Sequence, residues 1–512
     1  MVEITVDGKK ITVPHGINLI EAARLAGGFI PHYCYHSKLS VAGNCRMCLV
    51  EIEKVPKLQV ACNTTVRDGM VFYTNNDRVK RAREQVLEFI LVNHPLDCPV
   101  CDQAGECKLQ EFYMQYDLRE SRFRESKSHK PKVVDLGPRV VLDMERCILC
   151  TRCVRFCREI AKSDELCVSE RGSRNKLTTY PGKALENAYS TNVVDICPVG
   201  ALTSKDFRFK RRVWFLKKEK SICPGCARGC NIEIHHHDNK IFRLVPRTNE
   251  EVNQCWMCDE GRDTYKPVLA QNRLRSPMGF EAGQRTQFSS TEIMPRIQNA
   301  LSGIAGIDGK SIVGIGSAQA TNEDNYALKK FLEITFKSKN LLYHKNESDH
   351  PTHDNFLICA DKNPNTNGIE ALDFVKINTN KKFQAFFILG NLPEEAIKKI
   401  ALEKKRVVIM LATHDDEDSK WPDFVIPTTT FAESTGTFMN IQRRVQKISP
   451  ALISPGESRS AWEFFSDLST YFGKENPIYH SAEAVFQDIV EEHLCYQGLT
   501  YKSLGETGKV CP

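Results

Sequence analysis

The sequence predicts a multidomain chain, with small α+β units in its front half and an α/β domain behind them. Three observations predict it. The 512 residues are enough for three or four domains by length alone. Of 21 cysteines, eighteen lie at or before Cys258, and only Cys359, Cys495 and Cys511 follow. From about residue 273 the texture changes to alternating strand and helix signals, the pattern of a mostly parallel sheet.

Composition narrows the function. With 70 Lys+Arg against 64 Asp+Glu the net charge is only +6, far from the strongly basic domain of a dedicated nucleic-acid binder. At 41% hydrophobic and 26% charged residues the chain reads as soluble and folded. No apolar run is long enough to span a bilayer directly. The opening MVEITVDGKKITV is strand-like and charged, so no secretory signal is expected. In a reducing compartment disulfides are rare, and clustered, short-spaced cysteines then point to metal.

The elements follow in order. Ile4 and Val6, then Asp7-Gly8, then Ile11 and Val13 predict a hairpin. A short helix follows, from Asn18 as N-cap to Gly27 as stop. Residues 76–93 predict a helix on Val79, Ala82, Val86, Ile90 and Leu91, ending near His94-Pro95. Residues 95–215 are cysteine-rich, with short apolar stretches, and bound metal can supply folding energy that a small core cannot. Residues 216–272 form a further small cysteine unit. Beyond it, strands are expected at 312–315, 386–389 and 407–411, with helices at 322–331 and 394–402.

Four candidate ligand sets emerge from the spacing. The first is Cys34, Cys45, Cys48 and Cys62, as C-x10-C-x2-C-x13-C. It is similar to the plant-type ferredoxin arrangement, which holds a [2Fe–2S] cluster on four thiolates. Gly43 is expected to let the loop backbone approach the metal site. The second is His94, Cys98, Cys101 and Cys107, where the imidazole supplies the fourth donor that three local cysteines lack. The third begins as the run Cys147, Cys150, Cys153 and Cys157, similar to the bacterial ferredoxin run C-x2-C-x2-C-x3-C-P. Arg158 stands where that run has proline, and the Cys-Pro pair comes later, at Cys197-Pro198. A [4Fe–4S] cluster on Cys147, Cys150, Cys153 and Cys197 fits the ferredoxin logic, with Cys157 the competing ligand. The fourth is Cys223, Cys226 and Cys230, with Cys258 or Cys255 as the last donor. Each set alone also suits zinc. Four in series, of mixed ferredoxin type, suit the passage of electrons along a line.

Three segments carry a resemblance to a known family. They are PHYCYHSKLSVAGNCRMCLVEIEK (31–54), LVNHPLDCPVCDQAGEC (91–107) and NVVDICPVGALTSK (192–205). Residues 1–270 resemble the large iron–sulfur subunit of respiratory complex I, the 75-kDa subunit of NADH:quinone oxidoreductase. The resemblance implies one [2Fe–2S] cluster on the first set and a [4Fe–4S] cluster on each of the other three. The fourth resembles an extra cluster of some bacterial members, whose last ligand lies in a W-x-C-D-x-G-R segment. Here that segment is 256–262, which selects Cys258. Residues 273–512 resemble a shortened molybdopterin-oxidoreductase fold, best over DFVIPTTTFAESTGTFMNIQRRVQ (423–446).

The expected domains are 1–78, a [2Fe–2S] ferredoxin-like (β-grasp) domain, and 79–118, a His/Cys-ligated [4Fe–4S] domain. Then come 119–215, a ferredoxin-like [4Fe–4S] domain, 216–272, a [4Fe–4S] unit of the Mo/W bis-pterin type, and 273–512, the α/β domain. The implied role is an electron relay in the complex I peripheral arm, with no catalytic acid, base or nucleophile of its own. The implied partners are a flavin- and NADH-binding subunit, a small [2Fe–2S] subunit and quinone-proximal subunits. The implied location is the cytoplasmic face of a bacterial inner membrane, peripheral to it. The iron–sulfur subunit of a soluble NAD-linked hydrogenase or formate dehydrogenase shares the front-half pattern. No pterin, flavin, NAD or nucleic acid is expected on this chain.

Other features read plainly. Cys359 lacks a following His and is expected to be a buried strand thiol. Gly314-x-Gly316 lacks the third glycine of a dinucleotide fingerprint. Residues 205–220, with eight basic and four aromatic side chains, read as a solvated or partner-facing linker. The histidines at 235–237 read as a strand with solvated faces, and the acidic run 415–418 as a loop.

Overall fold

The computed structural model describes residues 1–512 except 117–119, 282, 305–307, 347–351, 378–380, 402, 404–405, 416–420, 474–477 and 512. Of the acidic run only Asp415 is described, and residue 402 of the expected 394–402 helix also lies outside. The chain divides into two units, Met1–Leu216 and Lys217–Pro512.

In the first unit, β1 (Val2–Val6) and β2 (Lys9–Val13) pair antiparallel, Ile4 opposite Ile11. Asp7 and Gly8 have φ of 48° and 84°. Two left-handed residues make a turn whose twist matches the strands it joins. In α1 (Leu19–Leu25) the Asn18 side chain caps the first turn by accepting from the Glu21 amide at 3.0 Å. β3 (Leu49–Ile52), β4 (Gln59–Val60) and β5 (Met70–Tyr73) complete a five-stranded sheet in the order β2-β1-β5-β3-β4. Ile4, Val13, Leu19, Ala22, Val50 and Phe72 form its core. A mixed sheet grasping one helix is the β-grasp arrangement expected.

α2 (Asp77–Leu91) is capped by Asn76, which accepts from the Val79 amide. Its buried stripe is Val79, Arg83 and Leu87; Ala82, Val86, Ile90 and Leu91 are only half-buried. The apolar periodicity missed Arg83, which is 1% exposed. Its guanidinium donates to the Leu49 carbonyl at 3.4 Å and to the Tyr116 hydroxyl at 3.3 Å. It also lies 5.3 Å from the Tyr116 ring centre, at the end of α3 (Lys108–Tyr116). A buried charge is more tolerable when donors are used in this way, here Nη1 and Nη2 but not Nε.

The rest of this unit comprises β6 (Val134–Asp135), β7 (Val140–Leu142), α4 (Arg152–Glu159), β8 (Leu166–Ser169), β9 (Lys176–Thr179), α5 (Asn192–Asp195) and β10 (Leu202–Ser204). β10, β7 and β6 form one sheet, and β8 and β9 a hairpin. Residues 205–215 are partly exposed, with Phe209, Trp214 and Phe215 at 63%, 57% and 49%, and are also bonded to the loop of the second set. The Phe209 amide donates to Asp102 at 2.9 Å, and Arg212 donates to the carbonyls of Cys101 (2.5 Å) and Pro99. A Cβ on Gly105 would meet Trp214 and Val213 at 2.9 Å each.

The second unit opens with the antiparallel sheet of β11 (Lys217–Ile222), β12 (Asn231–His237) and β13 (Lys240–Pro246), so residues 217–220 are strand. The His run is strand as expected, but His235 is buried rather than solvated. It accepts from Arg243 Nε at 3.0 Å and faces Glu233 at 3.3 Å. A one-turn helix, α6 (Asp259–Asp263), follows.

Then come β14 (Met278–Glu281), β15 (Gln284–Gln287), α7 (Ser290–Ser302), β16 (Ile312–Ser317), α8 (Asn322–Phe336), β17 (Leu341–His344), α9 (Thr366–Ala371), β18 (Val375–Lys376), β19 (Ala385–Leu389), α10 (Glu394–Ala401), β20 (Val407–Ala412) and β21 (Phe424–Pro427). Their sheet runs β15-β14-β21-β20-β19-β16-β17-β18. The last six are parallel in register, and the order reverses between β16 and β19, as in doubly wound sheets. Alternate residues feed two cores. Ile312, Phe387 and Ile409 pack on one face, Val313, Ile388 and Val408 on the other, so both faces are covered. Gly314 and Gly316 serve helix packing: a Cβ there would meet Leu332 Cδ1 at 2.4 Å and Asn325 Oδ1 at 2.6 Å. The chain closes with β22 (Gly436–Met439), β23 (Arg444–Ile448), α11 (Ala461–Tyr471), α12 (Ala482–Glu492), α13 (Tyr501–Leu504) and β24 (Lys509–Val510).

Candidate metal centres

The first set is built on the loops around the β-grasp sheet. Cys34 follows α1, Cys45 and Cys48 precede β3, and Cys62 lies in a single turn after β4. The Cys34 amide donates to Cys45 Sγ at 3.5 Å. Cys34 touches both Cys45 and Cys62, and Cys48 touches Cys62. Hydrogen bonds from Cys45 and Cys62 hold the Cys34 thiol far below the usual range, and one from Cys62 lowers Cys48. Bonding to Cys34, with burial, pushes Cys45 up. Gly43 has a φ of +62°, a backbone conformation that favours glycine.

The second set lies between α2 and α3. His94, Cys98, Cys101 and Cys107 line one cavity of about 780 Å³, with Arg146, Lys127 and Gly200. Burial, then Arg146 and Lys127, push His94 down to about 4. The imidazole is therefore neutral at neutral pH, the form that ligates metal. Burial raises Cys101 and pushes Cys107 up to about 11. Gly200 is required by contact: a Cβ there would sit 2.2 Å from Cys101 Sγ.

The third set surrounds a small cavity lined by Cys147, Cys150, Cys153 and Cys197, with Leu149, Val168, Leu177 and Val199. Leu149 and Thr151 have φ of 53° and 61°, which winds the run around that space. Cys153 and Cys157 both lie on α4, but Cys157 does not line the cavity. It is buried, its carbonyl accepting from the Ser163 amide at 2.8 Å. Burial pushes Cys147, Cys150 and Cys197 up to about 11. Cys167 sits half-buried on β8, off the cavity.

The fourth set lines another small cavity: Cys223, Cys226, Cys230 and Cys258, with Met257, Gly261 and Lys362. The Cys223 amide donates to the Cys230 carbonyl at 2.9 Å, and Cys258 Sγ caps α6 by accepting from the Gly261 amide at 3.3 Å. Cys255 does not line the cavity. Cys359 is buried as expected, but in a loop rather than a strand. Its thiol bonds to Cys226, which pulls Cys226 down to about 6. Spacing alone gave no sign of this fifth thiol.

Among the described residues, no three or more His, Cys, Asp or Glu side chains converge on a single-ion site. In the second to fourth sets the donors stand around cavities instead. Four soft thiolates, or three with one imidazole, are donor sets that iron–sulfur clusters take.

Comparison with known proteins bears on these sites. Residues 1–77 match the model described as "2Fe-2S iron-sulfur cluster binding domain". Residues 83–122 match "NADH-ubiquinone oxidoreductase-G iron-sulfur binding region", and 137–203 match "NADH-quinone oxidoreductase subunit 3, ferredoxin-like domain". Residues 216–269 match "Molybdopterin oxidoreductase Fe4S4 domain", and 352–471 "Molybdopterin oxidoreductase". The mitochondrial NADH-ubiquinone oxidoreductase 78 kDa subunit of Neurospora crassa is 32% identical, over 93% of this chain and 81% of that one. The chain belongs to the family of the large iron–sulfur subunit of NADH-quinone oxidoreductase. The member of this family from Rickettsia bellii is 42% identical, over 65% of this chain and 48% of its own. A mitochondrial NADH dehydrogenase [ubiquinone] iron-sulfur protein 1 of Solanum tuberosum is 40% identical, over 76% of this chain and 52% of its own. The matches thus span about half the length of several of these relatives. A solved NAD+-reducing [NiFe]-hydrogenase chain is 29% identical over 41% of this chain and 91% of its own, at a TM-score of 0.38, too low to bear on the fold.

Proposed function

We propose that this chain is an iron–sulfur electron-relay subunit in the peripheral arm of NADH:quinone oxidoreductase. Cys34, Cys45, Cys48 and Cys62 would hold a [2Fe–2S] cluster. His94 with Cys98, Cys101 and Cys107, Cys147 with Cys150, Cys153 and Cys197, and Cys223 with Cys226, Cys230 and Cys258 would each hold a [4Fe–4S] cluster. Bound clusters supply one-electron transfer at potentials set by charge, hydrogen bonds and burial around them.

The chain's own residues do the holding and the tuning. Cys34, Cys48, Cys62, Cys101, Cys150, Cys153, Cys223, Cys230 and Cys258 are buried, whereas Cys98 is exposed. His94 replaces one thiolate by a neutral donor, which lowers the negative charge at the second set. Arg152 and Arg155 bring fixed positive charge beside Cys34, Cys150 and Cys197. The observation that carries the reading is the third cavity, where Cys197 joins the run from 50 residues away in sequence while Cys157 stands outside.

In this reading NADH is oxidised at a flavin on a partner subunit. A small [2Fe–2S] subunit and quinone-proximal subunits complete the route, at the cytoplasmic face of a bacterial inner membrane. Among the described residues no helix is long and apolar enough to cross a membrane. We take the domain limits as 1–78, 79–118, 119–215, 216–272 and 273–512, with the last a scaffold and docking surface.

The test is selective reduction. The loaded chain alone should be reduced by dithionite and not by NADH, and should become NADH-reducible when combined with the flavin-bearing subunit. Reduction of the isolated chain by NADH, or none in the combined proteins, would overturn the proposal.

A further inference from the structure

Arg146 stands between the second and third ligand sets. Its main chain directly precedes Cys147 of the third set. Its side chain lines the cavity of the second, with His94, Cys98, Cys101 and Cys107. A Cβ on Gly200 would lie 2.2 Å from Cys101 Sγ and 3.7 Å from Arg146 Cδ, so the stem of the arginine passes beside that thiol. One edge of the guanidinium is bonded to carboxylates. Nε and Nη2 both donate to Asp97 Oδ2, at 3.2 and 2.8 Å, and Nε lies 3.3 Å from Asp143. Asp97 immediately precedes Cys98, which is exposed where the other proposed ligand cysteines are buried or half-buried. The other edge is unused. The side chain is only 7% exposed, and Nη1 bonds to no described residue, yet it is not sealed off from the space around it. A buried cation normally has its donors occupied, and the space that Arg146 lines is the one the second-set donors surround. The two other cations on that cavity are engaged elsewhere. Lys127 donates to the Leu91 and Val92 carbonyls at 2.9 and 2.8 Å, and Arg122 pairs with Glu88.

We infer that Arg146 Nη1 donates a hydrogen bond to a sulfur at the second ligand set, so that one guanidinium both holds the Cys98 loop through Asp97 and tunes the group that this set carries. The inference rests on the reading that the set holds a cluster. Arg146 is a positioning residue: it ligates nothing and carries no electron. A charged donor aimed at sulfur stabilises the more negative, reduced state over the oxidised one, which raises the potential.

The experiment is an EPR-monitored redox titration of the full, anaerobically prepared chain, wild type against Arg146→Met. Iron and sulfide content are read first. A wild type without a second-set signal defeats the underlying reading and this inference with it, whereas a normal signal leaves the inference to be judged by itself. At a fixed ambient potential, the reduced-to-oxidised ratio of the second-set signal should fall about tenfold in Arg146→Met, which is ~59 mV for a one-electron couple. The third-set ratio should move less. An unmoved second-set ratio, or an equal or larger shift in the third set, overturns the inference. If Arg146→Met loses the second-set iron, Arg146→Lys decides. Its ammonium keeps the charge but has no second edge, so it cannot hold Asp97 and reach sulfur together. The second-set ratio must then fall, by less than tenfold. An unmoved ratio overturns the inference, and so does loss of the same iron in both variants, which would make Arg146 a structural residue only.

Discussion

Arg155 is bonded to the main chain of Cys34: its Nη2 donates to the Cys34 carbonyl at 2.6 Å. The same nitrogen donates to the Cys150 carbonyl at 3.2 Å, and Nη1 donates to the Ser40 carbonyl. One side chain thus ties the loop of the first set to that of the third. Its neighbour Arg152 repeats the bridge, donating to the carbonyls of Ile196 (3.1 Å) and Tyr35.

Arg155→Lys keeps the charge but cannot reach three carbonyls with one compact ammonium. Local opening of the 34–40 loop should become easier by about 2 kcal/mol, read as lost native-state hydrogen-exchange protection. The spectra of the first- and third-set clusters should both change. A change at the third alone would contradict the bridge.

Gly200→Ala places a methyl carbon where Cys101 Sγ stands, 2.2 Å away. The second set should then fail to load, with a loss of about four iron atoms per chain. Residues 217–512 should keep their protease resistance. Full iron content in this variant would show that Cys101 is free to move and is not held as a ligand.

The third set separates two cysteines one helical turn apart. Cys197→Ser should cost about four iron atoms per chain. Cys157→Ser should leave iron and sulfide unchanged and lower stability by about 1–3 kcal/mol, because it buries a hydroxyl. Iron loss in Cys157→Ser with retention in Cys197→Ser would reverse the assignment.

Glu323, at the start of α8, is fully buried, and burial pushes its carboxyl up to about 7 from the ordinary 4.5. Between those values the native state keeps a proton that the unfolded chain has released. Its contribution is complete below 4.5 and is lost as pH rises through 7. The loss is about 3 kcal/mol across that window. Glu323→Gln should remove this slope when urea unfolding is compared at pH 5 and pH 8, since an amide can still accept from the Thr437 amide and donate to the Tyr501 hydroxyl. An unchanged slope would mean that Glu323 does not titrate there.

Legibility followed locality. The Asp7-Gly8 hairpin, the Asn18 cap and the parallel strands could be read because each signal sits within a few residues of its effect. The short gaps within Cys45/Cys48 and Cys147/Cys150/Cys153 were legible for the same reason. Arg83 was not, because what licenses a guanidinium in a buried stripe is a carbonyl on β3 and a tyrosine on α3, both distant in sequence. The 205–215 segment looked solvated from its charge, yet Arg212 spends its donors on the Pro99 and Cys101 carbonyls. Cys359 could not be tied to Cys226 by any spacing rule, since the loop carrying it folds back across 133 positions. At Gly43 close approach and positive φ leave the same letter in a sequence, and the φ of +62° by itself favours glycine.

The central claim, that this chain holds four iron–sulfur clusters, is tested most directly by iron, acid-labile sulfide and zinc per chain on anaerobically prepared protein. The account predicts about fourteen iron atoms, as many sulfides less any lost in handling, and negligible zinc. Stoichiometric zinc without sulfide would contradict it and leave a structural metal protein in its place.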